Sequence, residues 1–478
     1  VSHPVRTTLD HLFRRALARR PDAVALADPP DRASVTDGAP RSLSYADANR
    51  AIAALAAKLR GYGLPADAVV ALQLPNTVES VIALLAVLRA GMIAAPLPLL
   101  WRQADAAAAL QRVGARALIA CRQIGEVDYG EIAVQLAAET FSIRHVGAFG
   151  ENLPDGVVPL DDIFSADAET LALDCDADHA ALVTFDVAAD GIVPVTRSHA
   201  ELIAGGLAVH LEARVEAEAT LIGTLALSSF AGLATTVVPW LLAGGTLALH
   251  HPFSPAAFAA QCAGHPRAVV VVPGPLAARL ADAGLIGDNG LVLAVWRAPE
   301  RLAGTAPWTA HAARVEIAVF GEVALVVAAR AADGAATVQA GRVTVPQGAT
   351  AGIHVLDAAR SAAGTLVLSG PMVPRGGDGD GVDTRYPCKF DRDGNQFVIN
   401  GPPAGLVSVG GYRFALGALQ ELIGEMDGTL AALPDILAGQ RLAGAAADRN
   451  AICDALLARG ANPLLIAAFR ARRADRAA

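Results

Sequence analysis

Lysine is almost missing from this chain. Lys58 and Lys389 are the only two in 478 residues, so a reaction that needs a flexible point-charge ammonium has just these candidates. The five cysteines, Cys121, Cys175, Cys262, Cys388 and Cys453, are an odd set with no Cys-x-x-Cys spacing. They read most simply as reduced thiols, which points to the cytoplasm. Aromatic residues make up 5% of the chain within a hydrophobic fraction of 53%, so the core must come from Ala, Val, Leu and Ile. That composition suits helices layered on parallel strands. Basic residues are outnumbered, 38 against 47 acidic, and the net charge of -9 argues against a nucleic-acid partner. A long apolar run is also lacking, although mean hydropathy is +0.41. The best candidate, residues 81–100, is broken by Arg89, Gly91, Pro96 and Pro98 and reads as a helix, a turn and a buried strand, so no membrane span is expected. The Leu9-Phe13-Leu17 pattern near the start is amphipathic and carries arginines, unlike a signal core.

What is present is an alternation of strand and helix. Ile52, Leu55 and Leu59 fall at helical spacing within 47–59, residues 68–74 alternate as a strand up to Pro75-Asn76, and 78–89 reads as a helix stopped by Gly91. The stretch around which the chain is organised is 183–199, Val-Thr-Phe-Asp-Val-Ala-Ala-Asp-Gly-Ile-Val-Pro-Val-Thr-Arg-Ser-His. It follows an apolar strand at 180–183 and leads into a helix at 200–211, the order in which a chain offers loop N–H groups to a phosphate. A phosphate loop needs several glycines and a cation; this one has only Gly191, with Asp186 and Asp190 beside it.

This stretch resembles the nucleotide signature of the AMP-forming acyl-CoA synthetases, the adenylate-forming ligases, whose loop runs roughly Phe-Thr-Ser-Gly-Thr-Thr-Gly-x-Pro-Lys-Gly and is followed by Ser/Thr-His. Phe185 and Ser198-His199 fit. Counting forward from Phe185 puts Gly191 on the second loop glycine and Pro194 on the lysine, whereas counting back from His199 puts Val193 there. Other matches keep the family's order: Asp67 through Pro75-Asn76 and Glu79, Ala90-Gly91 with Pro96-Leu97, Leu225 to Leu233, Ala243-Gly244-Gly245-Thr246, Gly370-Pro371-Met372 and Gly410-Gly411. The resemblance implies an α/β fold: a large domain, 1–402, of two layered α/β subdomains (about 1–175 and 176–330) plus a small β-rich part (331–402). A truncated α+β C-terminal lid, 403–478, follows.

Where the family carries its chemistry, this sequence departs from it. Ser229 stands at the histidine of the acyl-pocket segment, Val323 and Ala324 stand where threonine and the magnesium-holding glutamate belong, and Glu322 is one position away. Thr384 keeps the threonine of the ribose motif, but Tyr386 replaces its aspartate, and a phenol cannot accept two hydrogen bonds as a carboxylate does. In the hinge, Pro402, Gly405 and Ser408 replace arginine, aspartate and lysine, and 403–478 contains no lysine at all. A coding bias toward Arg and Ala explains scarce surface lysine but not the lost Glu, Asp and Gly.

The expectation is therefore an acyl-CoA synthetase-like protein impaired or inactive in adenylation, with no catalytic residue and no metal ligand assigned. Gly191 and Thr384 remain of the nucleotide site, and Ser229, Phe230, Gly232, Phe320 and Gly321 are acyl-pocket candidates. The family's cofactors are ATP, Mg and CoA; none is assigned to this chain. The resemblance to enzymes of fatty acid metabolism implies a small carboxylic acid or acyl thioester as ligand. An acyl carrier protein or an active ligase is the implied protein partner, and an Ala- and Leu-rich surface suggests a homodimer. The alternative is an active acyl-CoA or acyl-carrier-protein ligase with an unorthodox nucleotide site. Asp378, Asp380 and Asp383 imitate a calcium loop without its terminal glutamate and read as a turn. Cys262 with His265 reads as structural.

Overall fold

The computed structural model describes residues 7–166, 175–287, 290–301, 308–328, 336–347, 350–375 and 381–470. Four main sheets organise them. The first has seven strands in the order Gly191–Ser198, Ala180–Ala188, Ile93–Pro96, Val69–Gln73, Ala117–Cys121, His145–Phe149 and Val158–Pro159. The second has eight: Ala324–Ala328, Ala313–Phe320, Leu291–Trp296, Val269–Pro273, Thr220–Gly223, Thr246–Leu249, Val24–Ala27 and Ser42–Ser44. The central strands of both run parallel and are mostly apolar, as in Val269–Pro273, the pattern of a sheet covered on both faces. An antiparallel six-stranded sheet, built from Thr337–Gln339 to Gln396–Ile399, and a four-stranded sheet from Leu406–Val409 to Gly439–Ala446 complete the α/β architecture expected from the sequence. Asp378 and Asp380 lie outside the described residues.

The two large sheets exchange strands. Val24–Ala27 pairs with Thr246–Leu249 in the second sheet, while Ala180–Ala188 pairs with Ile93–Pro96 in the first. A division at about residue 175 thus cuts across both sheets. The exchange is held by an aromatic cluster in which Tyr45 stacks on Trp240 at 6.1 Å and meets Phe13 at 5.6 Å. Tyr45 Oη and Trp240 Nε1 both donate to the Gly245 carbonyl, at 2.8 and 3.0 Å, which satisfies the polar ends of two buried rings. Gly245 has to be glycine, since a Cβ there would sit 1.9 Å from the Ala219 carbonyl oxygen.

One sequence expectation fails at the centre of the chain. Residues 183–198 do not form an open loop: the strand Ala180–Ala188 continues, turns at Ala189-Asp190 and returns as Gly191–Ser198, in register Phe185↔Pro194 and Asp186↔Val193. The β-branched run Ile192, Val193, Val195 and Thr196 favours extended backbone, and ladder pairing takes up N–H groups that an open loop would offer a phosphate. The helix His199–Glu212 then starts on a capping box, Ser198 with Glu201.

Candidate active site

Three hairpins converge at the carboxyl ends of the parallel strands, where ligands bind in open α/β sheets. The first is the central hairpin, which carries Asp186. The second joins Ala313–Phe320 to Ala324–Ala328 and carries Gly321 and Glu322 at its tip. The third joins Leu406–Val409 to Tyr412–Ala415 in the C-terminal unit. Its turn, Gly410-Gly411, has φ of 58° and 88°, the pair of positive values that a two-residue hairpin turn of the right twist demands. That turn sets Tyr412 and Arg413 against the large domain.

Arg413 Nη1 donates to both carboxylate oxygens of Asp186, at 2.8 and 3.0 Å, and its Nη2 donates to the Tyr386 hydroxyl. Asp186 also accepts from the backbone N–H of Val187 at 2.8 Å and of Glu322 at 3.1 Å. Burial works against the Arg413 charge, but Asp186 and Tyr386 more than offset it and hold the guanidinium protonated. Burial pushes the Tyr386 phenol up, so it stays neutral beside the cation. Gly321, at φ 59°, allows this contact: a Cβ there would lie 2.2 Å from Asp186 Oδ2.

Glu322 points inward. Its Oε2 accepts from the Phe230 N–H at 2.6 Å, at the start of the helical segment that contains a π-helical turn, Leu233–Val237, and its Oε1 lies 3.9 Å from Arg297. Burial raises its pKa, with Arg297 acting in the opposite sense. Below it, fully buried Arg197 donates to the carbonyls of Met372, Glu322 and Val323, and its guanidinium lies 3.7 Å from the Phe230 ring centre. Burial lowers the Arg197 pKa to about 10, with Glu322 and Glu201 pulling it back up.

The cleft left between these groups has a volume of about 40 Å³ and is lined by Pro98, Trp101, Phe185, Arg297, Glu322 and Arg413, among others. That is room for a water or two. Asp186 is held by Arg413 through both carboxylate oxygens, while Glu322 gives one oxygen to the Phe230 N–H and turns the other toward Arg297.

Of the sequence-predicted residues, Gly321 lines the cleft. Ser229 caps its own helix by accepting from Gly232 N–H at 3.1 Å; Phe230 and Phe320 are fully buried, the latter edge-on to Tyr386 at 5.4 Å. Gly191 sits at the far turn of the central hairpin near Arg112, and Thr384 donates to the Leu366 carbonyl at 2.7 Å. The sequence analysis placed Asp186 in the central stretch and assigned no role to Arg413; the structure makes the two partners. Their opposite charges beside two otherwise matching motifs were the available signal.

A model of the AMP-binding enzyme family matches residues 13–376. A stretch of 151 residues is 34% identical to the salicyl-AMP ligase / salicyl-S-ArCP synthetase of Mycobacterium tuberculosis; it covers 31% of this chain and only a quarter, 25%, of that relative's length. Among solved structures, the amide bond synthetase McbA from Marinactinospora thermotolerans superposes with a TM-score of 0.71 at 17% identity, covering 96% of this chain and 94% of that one. An artificially fused adenylation-PCP di-domain, NpsA-ThdA from Klebsiella oxytoca, gives 0.67 at 16% identity, with 97% and 93% covered. Apo MbtA of Mycobacterium smegmatis gives 0.65 at 18%, with 96% and 90% covered. At these identities the structures testify to the fold. The family model spans well over half of the sequence and includes the central hairpin and the Gly321–Glu322 turn, and on that ground the chain belongs to the AMP-binding enzyme family.

Proposed function

We propose that this chain is a member of the adenylate-forming family that does not adenylate, and that it acts by holding a partner or an acyl thioester. The observation that supports this reading is the Arg413–Asp186 pair, which with Tyr386 ties together positions whose sequence resembles the family's nucleotide loop and ribose motif. Adenylation brings two anions together and needs cations and N–H groups aimed at them; each missing donor typically costs a few kcal/mol of barrier. The loop, lid lysine and ribose aspartate are all replaced here, so the loss amounts to many orders of magnitude in rate. The partner class is a carrier protein, because the matching relative is named for an ArCP and a similar structure is an adenylation-PCP fusion. These names also direct the choice of ligand toward aryl acids such as salicylate before fatty acids.

A second reading, an active ligase with an unorthodox nucleotide site, draws on Arg297 and Arg413, two cations at the cleft. One experiment separates the two. Calorimetry with ATP and magnesium should show no saturable heat, and pyrophosphate release should stay at background with salicylate and a panel of small carboxylic acids. Micromolar ATP affinity or acid-dependent pyrophosphate release would establish the second reading.

A further inference from the structure

At the open end of the central hairpin, away from the cleft, Cys175, His179 and His199 come together. One ligand atom from each, the cysteine sulfur and one nitrogen of each imidazole, lie within 4.8 Å of one another. The backbone holds them there. His179 immediately precedes the strand Ala180–Ala188 and His199 immediately follows Gly191–Ser198, so the last register pair, Ala180↔Ser198, sets them side by side, and the His199 N–H donates to the His179 carbonyl at 3.3 Å. Cys175 lies four residues before His179, and the segment is folded back by two bonds, Ala200 N–H to the Ala177 carbonyl at 2.8 Å and His179 N–H to the Asp176 carbonyl at 3.0 Å.

A second, independent feature is the hydrogen bond between His179 Nε2 and Asp67 Oδ1. A ligating imidazole characteristically gives its other ring N–H to a carboxylate, which fixes the tautomer and raises the basicity of the nitrogen that faces the metal. Here the bond at Nε2 leaves Nδ1 of His179 for that purpose. His199 is 2% exposed, and its Nδ1 accepts a long contact, 3.5 Å, from the Leu9 N–H. A cation takes His199 either at Nδ1 in place of that contact, or at Nε2 once the ring proton has moved to Nδ1.

We propose that Cys175, His179 and His199 bind one divalent transition-metal ion of zinc type, with Asp67 orienting His179 and water filling the fourth position. One thiolate and two imidazoles are the donor set such borderline ions prefer, and oxygen-seeking magnesium or calcium would not select it. Binding displaces the proton of the Cys175 thiol to solvent and forms one metal–sulfur and two metal–nitrogen bonds, with no change of oxidation state. The ion would pin the open end of the hairpin whose other half carries Asp186, and so give it a stabilising role.

The test uses the full chain, freed of metal with a chelator and dialysed. Titration with cobalt(II) should give one equivalent bound, the visible bands of a four-coordinate ion and a thiolate-to-metal charge-transfer band. Zinc should displace it and protect Cys175 from iodoacetamide. Cys175 is the natural target for alkylation, since the other four cysteines are buried. Cys175→Ser should lose the charge-transfer band. Asp67→Gly, a change suited to the positive φ of 67° at that position, should weaken the affinity by roughly 10–100-fold. Absence of the charge-transfer band in the unaltered chain would overturn the proposal, as would zinc leaving Cys175 alkylation unchanged. So would equal cobalt affinity in the unaltered and Asp67→Gly chains.

Discussion

Arg413 and Asp186 are 227 positions apart in sequence, and the guanidinium of one grips both carboxylate oxygens of the other at 2.8 and 3.0 Å. The pair joins the first hairpin of the C-terminal unit to the central hairpin of the large domain, with side chains only 11% and 17% exposed. It therefore acts as a latch, and its removal should be felt in both stability and access to the cleft.

Arg413→Ala leaves the Asp186 carboxylate without its cation and should cost roughly 3 kcal/mol in denaturant unfolding. Asp186→Asn combined with Arg413→Met should cost clearly less than the two single changes added together, because the two groups act as one unit. Strict additivity would show that the latch contributes no coupling.

Glu322 gives a pH signature. Its folded pKa lies above the ordinary glutamate value because of burial, so the folded state favours the protonated form. The associated cost is absent at acidic pH, below the unfolded pKa, and appears as pH rises through the folded one. Glu322→Gln keeps an acceptor for the Phe230 N–H and removes the charge. It should flatten the acid side of the stability profile without loss at neutral pH, whereas Glu322→Ala, which strands that N–H, should cost about 1–3 kcal/mol. Thermal melts across pH distinguish the two.

Asp105 is a second titrating group, where the helix Gln103–Val113 meets the C-terminal unit. Ala104 N–H donates to the Gly460 carbonyl at 3.3 Å, and the Asn462 side chain is a neighbour of the Asp105 carboxylate. Burial raises the Asp105 pKa from 3.8 to about 6, with the neighbouring Asn462 side chain acting in the opposite sense. Its ionisation therefore costs stability, with the cost absent below 3.8 and fully present above about 6. Asp105→Asn should melt higher than the unaltered chain at pH above 6, and the difference should shrink as pH falls toward 4.

Restoring family residues piecemeal should not restore the reaction. Val193 pairs with Asp186 across the central hairpin, so a lysine placed there by Val193→Lys enters an occupied ladder beside a carboxylate already bound to Arg413. Val193→Lys with Tyr386→Asp should release no pyrophosphate from ATP in the presence of salicylate, since the C-terminal unit still offers no lysine. Measurable release would remove the argument from the missing lid lysine.

The sequence by itself determined the layered α/β class and the order of its units. Punctuation such as Pro75-Asn76, Gly244-Gly245 and Gly410-Gly411 enforces turns whatever surrounds it, and apolar periodicity fixes which faces are buried. It also bounded the cations open to any site, because no fold can place a lysine other than Lys58 or Lys389. The tertiary structure alone decided how the remaining charges are used. Ladder pairing, a long-range interaction, turned 183–198 from an expected loop into a hairpin. The pairing of Asp186 with Arg413, the inward turn of Glu322 toward Phe230, and the meeting of Cys175 with His199 all depend on strands and hairpins brought together from distant parts of the chain. Local propensity carries no information about such contacts: each is set by sheet order and register, which only the packing of the whole chain selects.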